Sequence, residues 1–174
     1  MKKTIVCIIT GPCGAGKSTL ARYLAKGTKR SVHIDVDHLR DMIKNGCANP
    51  TIYTGESKKQ VDLATKNTCD LANNFLKNRF NVFIDDILER KQQVIDYTKG
   101  LKNYNLHIFL LLPNKEVLAK RDIGRNKENV MGKRALELHD IFTKRMPEER
   151  WHVLDTSNHS LEQTKKEIIK IIQK

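Results

Sequence analysis

The sequence predicts an α/β fold: a parallel sheet with helices on both faces. Five short apolar segments alternate with helical patterns along the chain. Continuous rather than alternating hydrophobicity in those segments marks strands buried on both sides. A glycine-rich loop sits between the first strand and the first helix, the place where α/β folds hold anions. The length of 174 residues, with 39% hydrophobic and 30% charged side chains, suits a single domain over 1–174 with one core.

The segments follow in order. Thr4–Thr10 is the first strand, and Lys17–Lys26 carries Leu20, Ala21, Leu24 and Ala25 on one helical stripe. Ser31–Asp35 is a second strand and Asp37–Asn45 a helix. Residues 46–55, with Gly, Asn, Pro and Thr, form a loop, and Glu56–Asn78 is a long helix. Asn81–Asp85 is the third strand, Arg90–Lys102 a helix, and Leu106–Leu112 a fourth strand stopped by Pro113. Lys115–Arg125 and Arg134–Arg145 are basic helices around a softer stretch, so a small lid is expected at roughly 121–134. Trp151–Leu154 is the last strand and Leu161–Gln173 an amphipathic final helix.

Composition narrows the function classes. No apolar run approaches the roughly 20 residues that a spanning helix needs, and no cleavage-site pattern follows Met1. The expectation is a cytoplasmic protein with no membrane partner, monomeric or homodimeric. Cys7, Cys13, Cys47 and Cys69 show no zinc or disulfide spacing and read as reduced thiols. The net charge of +12 is spread evenly, with no basic arm, so nucleic-acid binding is permitted but not favoured.

Gly11-Pro-Cys-Gly-Ala-Gly-Lys-Ser18 fits the spacing G-x-x-x-x-G-K-[ST], directly between a strand and a helix. Such a loop points its backbone N–H groups inward at phosphates, and the helix N-terminus adds to the attraction. Gly11, Cys13, Gly14, Ala15, Gly16, Lys17, Ser18 and Thr19 are therefore candidate nucleotide-binding residues. Lys17 would reach the β- and γ-phosphate oxygens and Ser18 would ligate Mg²⁺. Cys13 reads as a small filler of the loop.

Three further groups belong at the same sheet edge. The strand ending Asp85-Asp86 supplies a carboxylate for Mg²⁺, assigned to Asp85, with Asp86 as a substrate or water contact. At the end of the second strand, Asp37 is the candidate general base, and Arg40, one turn on, a substrate contact. Asp37 also suits a helix N-cap, and the two roles can coexist. Asp35 reads as structural and His38 as surface. Arg121 and Arg125, four apart, would share a helical face and place guanidinium groups over a transferring phosphoryl group. Residues 154–158 could line an adenine pocket.

With these motifs the sequence resembles the small P-loop kinases of the adenylate-kinase-like fold. It is most similar to the chloramphenicol phosphotransferase-like group, with gluconate-kinase-like and polynucleotide 5′-kinase relatives. The resemblance rests on Gly11–Ser18, Asp37-x-x-Arg40, Asp85-Asp86, the arginine pair and Leu154–Ser157. It implies a three-layer P-loop sandwich with strand order 2-3-1-4-5, ATP and Mg²⁺ as cofactors, and γ-phosphoryl transfer to an alcohol. The residue matching Asp37 would be the base. The Pro-Trp-Leu hallmark of gluconate kinases is absent, the only tryptophan being Trp151. The reading is a kinase of a small hydroxyl-bearing molecule: a sugar acid, another metabolite or an antibiotic. The alternatives are a polynucleotide 5′-hydroxyl kinase and a regulatory ATPase without an acceptor.

Overall fold

Five parallel strands pair in the order β2-β3-β1-β4-β5. The structure, a computed structural model, describes residues 4–127, 130–145 and 151–173. The strands are β1 (Ile5–Thr10), β2 (Ser31–Asp35), β3 (Asn81–Asp85), β4 (Asn105–Leu111) and β5 (Trp151–Leu154). The helices are α1 (Lys17–Lys26), α2 (Val36–Arg40), α3 (Gly55–Lys77), α4 (Lys91–Gly100), α5 (Lys115–Ile123), α6 (Lys133–Arg145) and α7 (Leu161–Ile172). Strand order and parallelism are as the resemblance implies, and helices cover both faces of the sheet.

The continuous apolar runs are explained by burial on both faces. In β1, Cys7 and Ile9 join Leu20, Leu24, Phe83, Phe109 and Phe142 in one core, on the side of α1. Val6 and Ile8 face the other way, into a core with Ala72 and Leu76 of α3, Ile84 of β3, Tyr97 of α4 and Leu101 at the C-cap of α4. The two-residue side-chain period of a strand divides each run between the two cores. The long α3 starts from a capping box: Thr54 Oγ1 accepts from Ser57 N at 3.0 Å, and Ser57 Oγ accepts from Thr54 N at 3.0 Å. At Gly100 a Cβ would lie 2.6 Å from Cys69 Sγ. The glycine that weakens the end of α4 is what lets α4 lie against α3.

One expected element is much shorter. The helix expected over Asp37–Asn45 stops at Arg40, and α2 is a single turn and a half. Leu39 packs on the core, but Met42 is exposed. Beyond Arg40 there is thus little apolar burial to offset the backbone entropy of further turns. The lid stretch 121–134 includes residues 128 and 129, which lie outside the described residues; the remainder is the end of α5, a connection and the start of α6. Among the described residues no helix is long and apolar enough to cross a membrane.

Where β1 ends, Gly11 has φ +145°, and a Cβ there would stand 2.4 Å from the carbonyl oxygen of Leu111 on the neighbouring strand. Gly11→Ala should therefore cost about 3 kcal/mol from backbone strain and steric conflict. Gly46→Ala is the control: its φ is +75° but nothing lies within 4 Å of the added carbon, so about 1 kcal/mol is expected. Urea unfolding midpoints of the two variants test the difference.

Candidate active site at the edge of the sheet

The loop from Gly11 to Gly16 joins β1 to α1 at the carboxyl edge of the sheet. Gly11, Gly14 and Gly16 all take positive φ, and Gly16 is the N-cap of α1. The first N–H groups of α1 have no intrahelical acceptor and, with the helix dipole, make the loop attractive to anions. Lys17 is buried and its Nζ donates to the carbonyl of Pro12 at 3.1 Å, so the ammonium lies curled against its own loop. A cavity of about 420 Å³ opens here, with Lys17, Ser18, Asp37, Asp85, Arg121 and Arg125 in its wall.

Parallel pairing sets Asp85 opposite Ile9 of β1 and Asp35 of β2. Its carboxylate is 4% exposed and is shared between two donors: Ser18 Oγ at 2.8 Å and the Nε2 of His33. The donor set suits Mg²⁺, since a hydroxyl and a carboxylate are hard oxygen ligands. Among the described residues no group of three or more His, Cys, Asp or Glu forms a metal cluster. His33 was not singled out from the sequence. Its only signal there is its place in β2, two residues before Asp35, which puts it on the same face of the sheet and one strand from Asp85.

The cap of α2 is Asp35, whose Oδ1 accepts from the backbone N–H of Asp37 and His38 at 3.1 and 3.4 Å. Asp37 is thereby relieved of the capping role. Its side chain is 68% exposed, and Arg40 Nη2 approaches its carboxylate at 3.2 Å. Asp35 is the structural acid and His38 is exposed, as expected.

The arginine pair departs from the sequence reading. Helix α5 ends at Ile123 with Gly124 as C-cap, so Arg125 lies beyond it and the two arginines do not share a helical face. Arg121 Nη2 donates to the carbonyl of Thr156 at 2.8 Å, beside a smaller cavity of about 210 Å³ that Thr19, Leu111 and Thr164 also line. Thr156 places the connection after β5 in that wall. Arg125 Nη1 instead pairs with Asp122 at 3.3 Å. Asp122, 1% exposed, also accepts from the N–H groups of Met131 and Gly132 at 2.9 and 2.7 Å. Its Cβ would be 3.3 Å from a Cβ at Gly14, so the phosphate loop rests against it.

A second cavity, about 400 Å³, adjoins the first and shares Cys13, Asp37, Ile87 and Arg125 with it. Asn49, Pro50 and Thr51 of the loop and Val61 of α3 form one wall. Glu89, Arg90 and Arg134 also line it, and none of the three was singled out from the sequence. Glu89 accepts from Arg134 Nη2 at 2.6 Å on both oxygens and from the Tyr53 hydroxyl.

Asp86 behaves differently from its neighbour. It accepts from the Tyr97 hydroxyl at 3.0 Å, from Gln93 Nε2 at 3.4 Å and from its own next N–H, Ile87, at 2.8 Å. Burial pushes its pKa up to about 6, against the opposing pull of the Tyr97 hydrogen bond. The folded protein therefore keeps a proton that the unfolded chain releases near the ordinary carboxylate value. Stability then falls as pH rises between that value and about 6. In metal-free buffer, urea midpoints should show wild type losing on the order of 2–3 kcal/mol relative to Asp86→Asn between pH 4 and pH 7. Parallel pH profiles for the two proteins would contradict this.

A search of curated protein sequences gives no significant match. Among solved structures, a sugar kinase from Janibacter sp. superposes with a TM-score of 0.73 at 15% identity, covering 98% of this chain and 95% of that one. The tunicamycin resistance protein of Deinococcus radiodurans gives 0.71 at 14% identity, with 97% and 95% covered. The APS kinase CysC of Mycobacterium tuberculosis, in complex with AMPPNP and APS, gives 0.70 at 11% identity with both chains covered in full. These likenesses show that the fold is that of P-loop kinases. At the level of sequence, the family model described as Zeta toxin matches residues 1–166, and on that near-complete match the chain belongs to the Zeta toxin family.

Proposed function

We propose that the protein is a Mg-ATP-dependent kinase that transfers the γ-phosphoryl group to a hydroxyl of a small molecule. One observation carries this reading: Asp37 stands in the shared wall of the two cavities. One cavity holds the phosphate loop and the other has room for a small acceptor. A carboxylate between them is where a base for the acceptor hydroxyl is needed. The names of the structural neighbours, a sugar kinase, a resistance protein and an APS kinase, support the same class. The four free cysteines are compatible with work in the cytoplasm.

In this reading the N–H groups of residues 13–19 hold the triphosphate, and Lys17 leaves the Pro12 carbonyl for the β and γ oxygens. Bound Mg²⁺, held from Ser18 with Asp85 behind it, supplies charge neutralisation along the phosphates. The acceptor hydroxyl lies in the second cavity within reach of Asp37. As its oxygen attacks phosphorus, the bond to the ADP oxygen breaks in line and the hydroxyl proton passes to the Asp37 carboxylate. Arg125, which lines both cavities, sits on the side of the transferring group. Arg121, tied to Thr156, sits on the side of the nucleotide base. Arg40 holds Asp37 in place and contacts the acceptor, and Asp86 shapes the floor.

The test is ADP release over sugar acids, nucleosides, aminoglycoside and amphenicol antibiotics, and 5′-hydroxyl oligonucleotides. Release should depend on a small acceptor. Asp37→Asn should lower kcat by about 10²–10⁴ while calorimetry finds Mg-ATP affinity within about twofold of wild type. Slow release that ignores both the acceptor and the substitution would instead mark a regulatory ATPase. Release dependent on oligonucleotides and steeply weakened by salt would mark a polynucleotide kinase. Arg125→Ala should lower kcat by about 10², whereas Arg121→Ala should chiefly weaken nucleotide binding.

A further inference from the structure

The second cavity holds one positive charge that none of the described residues neutralises. Its arginines can be followed one by one. Arg40 is paired with Asp37 at 3.2 Å, Arg125 with Asp122 at 3.3 Å, and Arg134 with both oxygens of Glu89 at 2.6 Å. Arg90 has no carboxylate partner among the described residues. Its Nη1 and Nη2 are buried and make no hydrogen bond, and its guanidinium lies over the Tyr53 ring, 5.1 Å from the centroid. The Nε of Arg134, in the same wall, is likewise buried and without a hydrogen-bond partner.

Burying guanidinium donors without acceptors is costly unless a ligand completes them. The carboxylates nearby are engaged. Glu89 is held by Arg134 and the Tyr53 hydroxyl, and Asp86 by Tyr97 and Gln93. Stacking on Tyr53 fixes the plane of the Arg90 fork, which favours a planar or tetrahedral oxyanion over a bare hydroxyl.

We infer that the phosphoryl acceptor carries an oxyanion, a carboxylate or a phosphate, which Arg90 and Arg134 bind in the second cavity. This rests on the kinase reading for the word acceptor; the anion site itself does not. It excludes neutral sugars and neutral antibiotics as the preferred substrates. It also sets the orientation of the acceptor, with the acidic end at Arg90 and a hydroxyl at Asp37.

Two measurements test it. Without added anion, Arg90→Met removes an unpaired buried charge while keeping bulk against Tyr53, and should raise the melting temperature by about 2–4 °C. Next, with the phosphate loop filled by Mg·AMP-PNP, inorganic phosphate, acetate and neutral acetamide are titrated against thermal stability. Phosphate or acetate should stabilise wild type with an apparent affinity at least tenfold tighter than in Arg90→Met, and acetamide should do nothing. Arg90→Lys, which keeps the charge and loses the fork, should retain less than half of the shift. A stronger response to phosphate than to acetate assigns a phosphorylated acceptor, and the reverse order a carboxylic acid. A lower melting temperature in Arg90→Met, equal responses in the two proteins, or no response to either anion overturns the inference. Failure of Mg·AMP-PNP to bind overturns the kinase reading instead, and the anion comparison is then made in Lys17→Ala, where the phosphate loop has lost its cation.

Discussion

Parallel pairing across three strands is the constraint from which the site follows. Because β2, β3 and β1 run the same way and in register, Asp35, Asp85 and Ile9 occupy one rung of the sheet. The residues just past that rung leave the sheet at the same edge. The glycine loop, the Asp85-Asp86 pair and the first turn of α2 are therefore neighbours in space although they are separated by tens of residues in sequence. Antiparallel pairing of any one strand would send its terminal carboxylate to the opposite edge. The Ser18–Asp85 contact at 2.8 Å is the direct expression of this register, linking the start of α1 to the end of β3.

Charge at this edge is organised rather than merely abundant. The net charge of +12 says little, because most lysines and arginines lie in water. What matters is how the carboxylates are divided. Asp35 caps a helix, Asp85 holds a serine and a histidine, Asp86 is sunk among Tyr97 and Gln93, and Asp122 gathers backbone N–H groups. Asp37 alone of these is largely exposed to the cavities. A carboxylate with no structural task is one that can accept a proton during a reaction, whereas the buried ones are positioned by their donors.

Much of this was legible in the sequence. The spacing of Gly11 to Ser18 between a strand and a helix located the loop, and continuous apolar runs located the strands to within a residue or so. These signals are local, so they survive without the fold. His33 and Arg90 were illegible for the opposite reason: their significance comes from partners 52 residues away, or from the lack of any partner. The Arg121–Arg125 spacing suggests one helical face, but Gly124 ends α5 between them, and the two side chains part toward Thr156 and Asp122. The short α2 shows the same limit. Leu39, Met42 and Ile43 have helical spacing, yet a helix continues only where something covers its apolar side.

Asp122 ties together parts of the chain that sequence distance keeps apart. From the end of α5 its carboxylate accepts from the backbone N–H groups of Met131 and Gly132. One buried side chain thereby fixes where the backbone re-enters ahead of α6, a closure whose entropic cost is met once, on folding. The same residue packs against Gly14, so the glycine loop and the start of α6 are registered against a single carboxylate, and a shift at either end is felt at the other.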